Sequence, residues 1–119
     1  YLSSADIFAF TSHHEGMPNS LLEAMAMGVP SIAFAIPPVL EIDGGTGACV
    51  VVPAMNSTLF AEALVKLAGS LNSRVQIGKR GRQRVIDHFT ARKSMAEVVR
   101  LFRGLLESRK LNSGDRWAV

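Results

Sequence analysis

The chain has 119 residues, of which 48% are hydrophobic and 19% charged, enough for one modest domain with a packed core and too apolar for a disordered chain. No apolar run reaches the roughly 18 residues of a membrane-spanning helix. The opening YLSSADIFAFTS carries Asp6 and lacks the basic start of a secretory signal, and the single cysteine, Cys49, excludes an internal disulfide and a cysteine-based zinc site.

The net charge of +3 hides a split. Residues 1–73 hold one base, Lys66, and six acids; residues 74–119 hold twelve bases and four acids. A basic half of this kind either meets phosphate or an anionic membrane surface, or forms the solvated faces of helices. The chain also runs straight into patterned sequence without an initiator methionine, as a fragment of a longer protein would. Cys49 precedes a valine run and is expected as a buried thiol in a strand, in a reducing compartment.

DIFAFTS (6–12) is short, apolar and aromatic, and predicts a buried strand. The turn HHEGMPN follows. SLLEAMAM (20–27) consists of strong helix formers and stops at Gly28, a natural C-terminal stop. Residues 31–36, SIAFAI, predict a second buried strand. Pro37-Pro38 breaks the pattern, VLEI reads as one short helical turn, and DGGTG (43–47) as a turn or loop before a third strand, ACVVV (48–52).

Beyond Pro53 the period changes to that of helices. Residues 57–69 place Leu59, Phe60, Ala63, Leu64 and Leu67 on one stripe. Ser73-Arg-Val-Gln76 has the form of a capping box opening a helix to about residue 88, although Gly78 and Gly81 lower its helix propensity. Thr90 is placed to cap a last helix bearing Met95, Val98, Val99, Phe102, Leu105 and Leu106 at helical spacing. The period is lost in LNSGDRWAV, so residues 111–119 are expected as a loose tail after one folded part, 1–110.

Continuously apolar strands alternating with helices are the pattern of a parallel α/β sheet with flanking helices. In such sheets ligands bind outside the carboxyl ends of the strands, where helices begin. HHEGMPNSLLEAMAMG (13–28) occupies that place and carries two acids, Glu15 and Glu23. A helix start offers unpaired N–H groups and a positive dipole end, a seat for phosphate. Gly16 lets a ligand approach the backbone, Pro18 stiffens the loop, and Asn19 or Ser20 can cap the helix. Glu15 at the rim and Glu23 further in are suited to accept hydrogen bonds from sugar hydroxyls. A plainer alternative stands beside this: Ser20-Leu-Leu-Glu23 also reads as a capping box, and Glu15 as an incidental surface acid.

The stretch ADIFAFTSHHEGMPNSLLEAMAMGVPSIA resembles the donor-binding region of the retaining GT-B glycosyltransferases of group 1, the family that includes sucrose synthase-like and mannosyltransferase-like enzymes. Glu15 and Glu23 fill its Glu-x7-Glu signature, and the resemblance continues through LEIDGGTG and LFAEALVKL over about the first ninety residues. It implies a partial Rossmann-like sheet forming the C-terminal, donor-binding half-domain of a GT-B enzyme. It implies that Glu15 contacts hydroxyls of the transferred sugar and helps stabilise oxocarbenium charge. The backbone of Gly16, Met17, Pro18 and Asn19 would line the sugar and diphosphate, the N–H groups of Ser20 and Leu21 would meet the distal phosphate, and Glu23 would hold the nucleotide ribose. The donor would be a UDP- or GDP-sugar, with no further cofactor and no metal. The acceptor domain and the diphosphate-neutralising bases would lie upstream of this chain.

Two departures qualify the resemblance. Pro37-Pro38 stands where the family commonly has a glycine pair before the glutamate that Glu41 would fill, so no role is carried to Glu41. The pair His13-His14 suggests a metal, but no third ligand accompanies it in the sequence; a polar lining of the pocket mouth is the other reading. The competing function is a non-catalytic basic module: GKRGRQR (78–84) clusters Lys79, Arg80, Arg82 and Arg84, yet no interleaved aromatics or DNA-reading motif accompany it, so nucleic acid is not an expected partner. A cytoplasmic place is expected, with the basic helices resting on the inner face of a membrane that carries a lipid-linked acceptor. A sheet edge left unpaired would favour self-association.

Overall fold

The computed structural model describes residues 6–113, with the side chains of all of these except 91–94, 96 and 110–113. The chain divides into two compact units, the first ending at His88 and the second starting at Phe89.

The first unit is built on a three-stranded parallel sheet in the order β1 (Phe8–Phe10), β2 (Ser31–Phe34), β3 (Val50–Val52). The register pairs Phe8 with Ser31 and Phe10 with Ala33, then Ile32 with Val50 and Phe34 with Val52. This is the parallel α/β architecture that continuously apolar strands separated by helices require. The strands are shorter than the apolar runs because the ends turn away from the ladder. The Cys49 N–H, for example, goes to the Asp43 carboxylate (3.1 Å) rather than to a neighbouring strand.

Side chains alternate across a strand, so Ile32 and Phe34 share one face. There they form a buried cluster with Val52 and with Phe60 of α3 (Ser57–Ala68), joined by Ala63 and Leu64. Asn56 caps α3, its Oδ1 accepting from the Leu59 N–H at 3.0 Å. Phe60 and Leu67 of the expected stripe are buried, whereas Leu59 is exposed. By the same alternation Ala33 faces the other side, and α1 (Asn19–Ala26) and α4 (Leu71–His88) pack there against β2 and against each other. Leu21 and Met25 of α1 are fully buried. α1 ends at Ala26 with Met27 as its cap, and Gly28, the expected stop, follows with a φ of +75° that glycine adopts without strain.

Pro37 and Pro38 start a helix instead of only breaking the pattern. α2 runs Pro37–Asp43 with the two prolines at its first positions, where a missing N–H costs nothing. α4 likewise starts before the expected capping box. Its cap is Ser70, whose Oγ accepts from the Ser73 N–H (3.2 Å), so Ser73 is already inside the first turn. Gly78 and Gly81, which weaken the helix locally, lie where α4 comes too close to neighbouring main chain to admit a side chain. A Cβ on Gly78 would collide with the Gly28 carbonyl, and one on Gly81 would lie 2.9 Å from the Ala48 carbonyl oxygen.

Among its described residues the second unit holds the helix α5 (Ala91–Ser113), opening directly after Thr90. Met95, Val98, Val99, Phe102, Leu105 and Leu106 lie along it and are exposed. Helix continues through residues 111–113, so the loss of apolar period at 111 does not mark its end; the rest of the expected tail, 114–119, lies outside the described residues.

Candidate functional site

β1 ends at Phe10, and the chain then turns through residues 11–18 into α1. This places Glu15, Gly16 and Met17 on a loop at the carboxyl end of the parallel sheet, all exposed. Pro18 and Leu21 are buried and can offer a ligand only their main chain, while Asn19, Ser20 and Glu23 are exposed. A Cβ on Gly16 would meet nothing within 4 Å, so the fold itself does not demand glycine there.

The helix start differs from the expected one. Pro18 occupies the cap position, and no side chain caps the helix. The Asn19 N–H donates to the Met17 carbonyl (2.9 Å) and the Leu22 N–H to the Pro18 carbonyl (3.2 Å). The capping box over Ser20–Glu23 is therefore not formed. Because the helix begins at Asn19, Glu23 is its fifth residue and too far along to reach back to the cap. The N–H groups of Ser20 and Leu21 stand in the first turn without a side-chain cap, at the positive end of the dipole.

The Glu15 carboxylate is held locally. Ser12 Oγ donates to Glu15 Oε1 at 3.0 Å and lies 3.2 Å from the His14 carbonyl oxygen. His13, between them, stacks on Phe34 at the end of β2, with ring centroids 5.3 Å apart and planes at 25°. Phe34 in turn meets Phe60 at 4.8 Å. These rings line a groove of about 460 Å³, with Thr11, Met55, Ser57 and Leu64 on its other walls. His13 thus lines this groove through the ring that stacks on Phe34. Among the described residues no group of three or more His, Cys, Asp or Glu side chains gathers as a metal site would require. Ser12 and Phe34 were not singled out from the sequence, and Phe60 was read only as part of the apolar stripe of α3; a hydroxyl three residues before Glu15 and an aromatic residue at the end of a strand were the available signals.

The basic run of α4 is largely engaged within the fold. Arg80 Nε donates to the Gly47 carbonyl (3.0 Å), and Arg82 to the Ala26 carbonyl at the end of α1 (3.2 Å). Arg84 donates to the carbonyls of Ile42 (2.8 Å) and Glu41 (3.2 Å) at the end of α2. The Arg82 and Arg84 guanidinium groups neutralise the negative ends of the α1 and α2 dipoles and satisfy their last carbonyls, whereas Arg80 fastens the loop before β3. Glu41 takes part through its main chain, and its side chain is exposed. Asp43 is buried, and its carboxylate fastens the turn leading to β3. Burial, with the Asp43 charge adding to it, pushes the Cys49 thiol from an ordinary 9.0 up to about 12. No helix of the described residues is long and apolar enough to cross a membrane.

The fold is similar to that of sucrose-phosphate synthase from Thermosynechococcus elongatus, with a TM-score of 0.80 at 26% identity over 91% of this chain and 27% of that one. The capsular polysaccharide biosynthesis glycosyltransferase CapM of Staphylococcus aureus is 28% identical over 109 residues, 90% of this chain and 28% of its own length. The MMP alpha-(1->4)-mannosyltransferase of Mycolicibacterium hassiacum is 31% identical over 103 residues, 85% of this chain and 25% of its own. The chain therefore spans about a quarter of the length of these relatives. The family model for group 1 glycosyl transferases matches residues 1–70, which take in the whole sheet, the Glu15 loop, α1, α2 and α3, and the chain belongs to that family.

Proposed function

We propose that this chain is the donor-binding part of a hexosyltransferase that uses a nucleotide sugar, a UDP- or GDP-sugar, and transfers the sugar with retention of configuration. The observation that carries the reading is the start of α1. Its first-turn N–H groups have no side-chain cap, and two exposed acids, Glu15 and Glu23, bracket them at the carboxyl end of β1. Fixed N–H dipoles of this kind stabilise the negative charge that grows on a nucleoside diphosphate as it leaves. Ser20 and Leu21 hold the distal phosphate through their main chain. Gly16, Met17, Pro18 and Asn19 line the sugar and diphosphate, and the open space beside Gly16 gives a ligand access to the backbone. Glu15 accepts hydrogen bonds from the sugar and stabilises oxocarbenium charge, and Glu23 holds the ribose hydroxyls. Because no capping box forms, Glu23 has no local task that competes with this one.

The protein needs no cofactor beyond its donor in this reading, and the remaining acceptor-binding part belongs to the longer protein. It works in the cytoplasm, against the inner face of a membrane where the acceptor is lipid-linked. The rival reading, a basic module for nucleic acid or lipid, is weakened by the three arginines of α4 that hydrogen-bond to main-chain carbonyls. The test is calorimetric titration of the full-length protein, and of its Glu23→Gln variant, with UDP, GDP and ADP at low salt. Binding of one nucleotide, weakened about tenfold or more in the variant as the loss of one charged hydrogen-bond partner predicts, is the expected result. Absence of binding by the wild type to all three would overturn the proposal.

A further inference from the structure

Glu15 is an exposed side chain on a loop, and a carboxylate there can swing through several rotamers. A group that must meet a developing positive charge acts best when its position is set beforehand. The structure offers a device for this. Ser12 Oγ donates to Glu15 Oε1 at 3.0 Å and also lies 3.2 Å from the His14 carbonyl oxygen. One proton is thus placed between the side chain of Glu15 and the main chain just before it. The turn that carries both residues is pinned from beneath by the stacking of His13 on Phe34, a residue that is 5% exposed and part of the core. Ser12 lies two residues beyond the end of β1.

We propose that Ser12 is a positioning residue for the Glu15 carboxylate. It occupies Oε1 and so leaves Oε2 as the oxygen presented to a ligand. This inference rests on the donor-site reading above, in which Glu15 faces the transferred sugar. Removing the hydroxyl frees the carboxylate to rotate, with little change in the phosphate seat at Ser20 and Leu21. Its mark is therefore a loss in turnover without a loss in nucleotide affinity.

The experiment uses the full-length protein with UDP-glucose and GDP-mannose as probes, reading donor hydrolysis for kcat and KM and calorimetry for the Kd of free UDP and GDP. Ser12→Ala, Ser12→Thr and Glu15→Gln are compared, with thermal melting as a check on folding. The expected result is a fall in kcat of about tenfold for Ser12→Ala, the size of one modest hydrogen bond, with the nucleotide Kd unchanged and with Ser12→Thr restoring turnover to within about twofold. Wild-type turnover in Ser12→Ala alongside a strong loss in Glu15→Gln would overturn the role of Ser12 alone. A matching loss of nucleotide affinity in Ser12→Ala, or failure of threonine to rescue a folded protein, would also overturn it. Unchanged turnover in Glu15→Gln, or no binding of either nucleotide by the wild type, would overturn the donor-site reading and this inference with it.

Discussion

Gly78 is the position where the sequence and the fold give opposite predictions. It lies inside α4, and replacing a glycine on a free helix face by alanine stabilises by about 1 kcal/mol, from propensity and from the restricted unfolded chain. In the fold, a Cβ at Gly78 would collide with the Gly28 carbonyl oxygen, stand 3.2 Å from the carbonyl carbon and come within 3.7 Å of Pro30 Cδ. Carbon atoms normally meet at about 3.5–4.0 Å, and the obstacle is main chain, held between α1 and β2, that cannot rotate away. Gly78→Ala must push α4 off α1, and overpacking of this kind costs roughly 1–3 kcal/mol. A collision with fixed main chain belongs at the upper end of that range, so after the propensity gain is included the variant should be less stable by about 1–2 kcal/mol. With a urea dependence of about 1–3 kcal/mol per molar, the unfolding midpoint should drop by several tenths of a molar or more. Urea denaturation followed by far-ultraviolet circular dichroism reads this directly. Gly104→Ala in α5 is the control, because a Cβ there meets nothing within 4 Å, and it should hold or raise stability. If Gly78→Ala were as stable as the wild type, the close crossing of α4 over the Gly28 turn would be refuted.

Other consequences follow from the same contacts. Asp43→Ala leaves the buried Cys49 N–H without its acceptor and should cost about 1–3 kcal/mol, while Asp43→Asn, which keeps an acceptor oxygen, should cost less; thermal melting separates the two. The Cys49 thiol, raised from 9.0 to about 12, stays protonated in the folded state. It should resist alkylation by iodoacetamide at neutral pH until the protein unfolds. Its contribution to stability is full below pH 9.0 and is lost as the pH climbs towards about 12, because the unfolded thiol releases its proton first; melting temperatures across that range measure the loss. Arg84→Ala removes donors from the Ile42 and Glu41 carbonyls and should destabilise by about 1–3 kcal/mol, with Arg84→Lys restoring only part, since one ammonium does not reproduce the fork. Stability of Arg84→Ala equal to that of the wild type would return α4 to the status of a solvated basic face.

The strands, the helix after the Glu15 loop and the parallel architecture were legible in the sequence. Each depends on local pattern: apolar runs of strand length, a block of helix formers stopped by Gly28, and alternation of the two. The placement of Glu15 on the loop and of Glu23 in the helix after it was legible for the same reason, since spacing along one chain and one helix start is local. The exact start of α1 was not. The choice between Pro18 and Ser20 as the cap turns on two residues of phase, and it decides whether Glu23 is a cap or an acid with no local partner. The role of Pro37-Pro38 was misread in part, because proline breaks a helix interior but opens a helix well.

What only the tertiary structure decided is every contact between residues far apart in the chain. From the sequence alone, GKRGRQR is a basic cluster interrupted by a weak helix former. In the fold, its arginines reach back to the ends of α1 and α2 and to Gly47, and its glycines let α4 cross close to α1. Neither partner is marked by charge or hydropathy, since both are main-chain carbonyls, which every residue carries. The Phe34–His13 stack that steadies the Glu15 turn likewise joins the end of one strand to the loop after another. Pattern along the chain determines which elements form; only their packing determines which side chains meet.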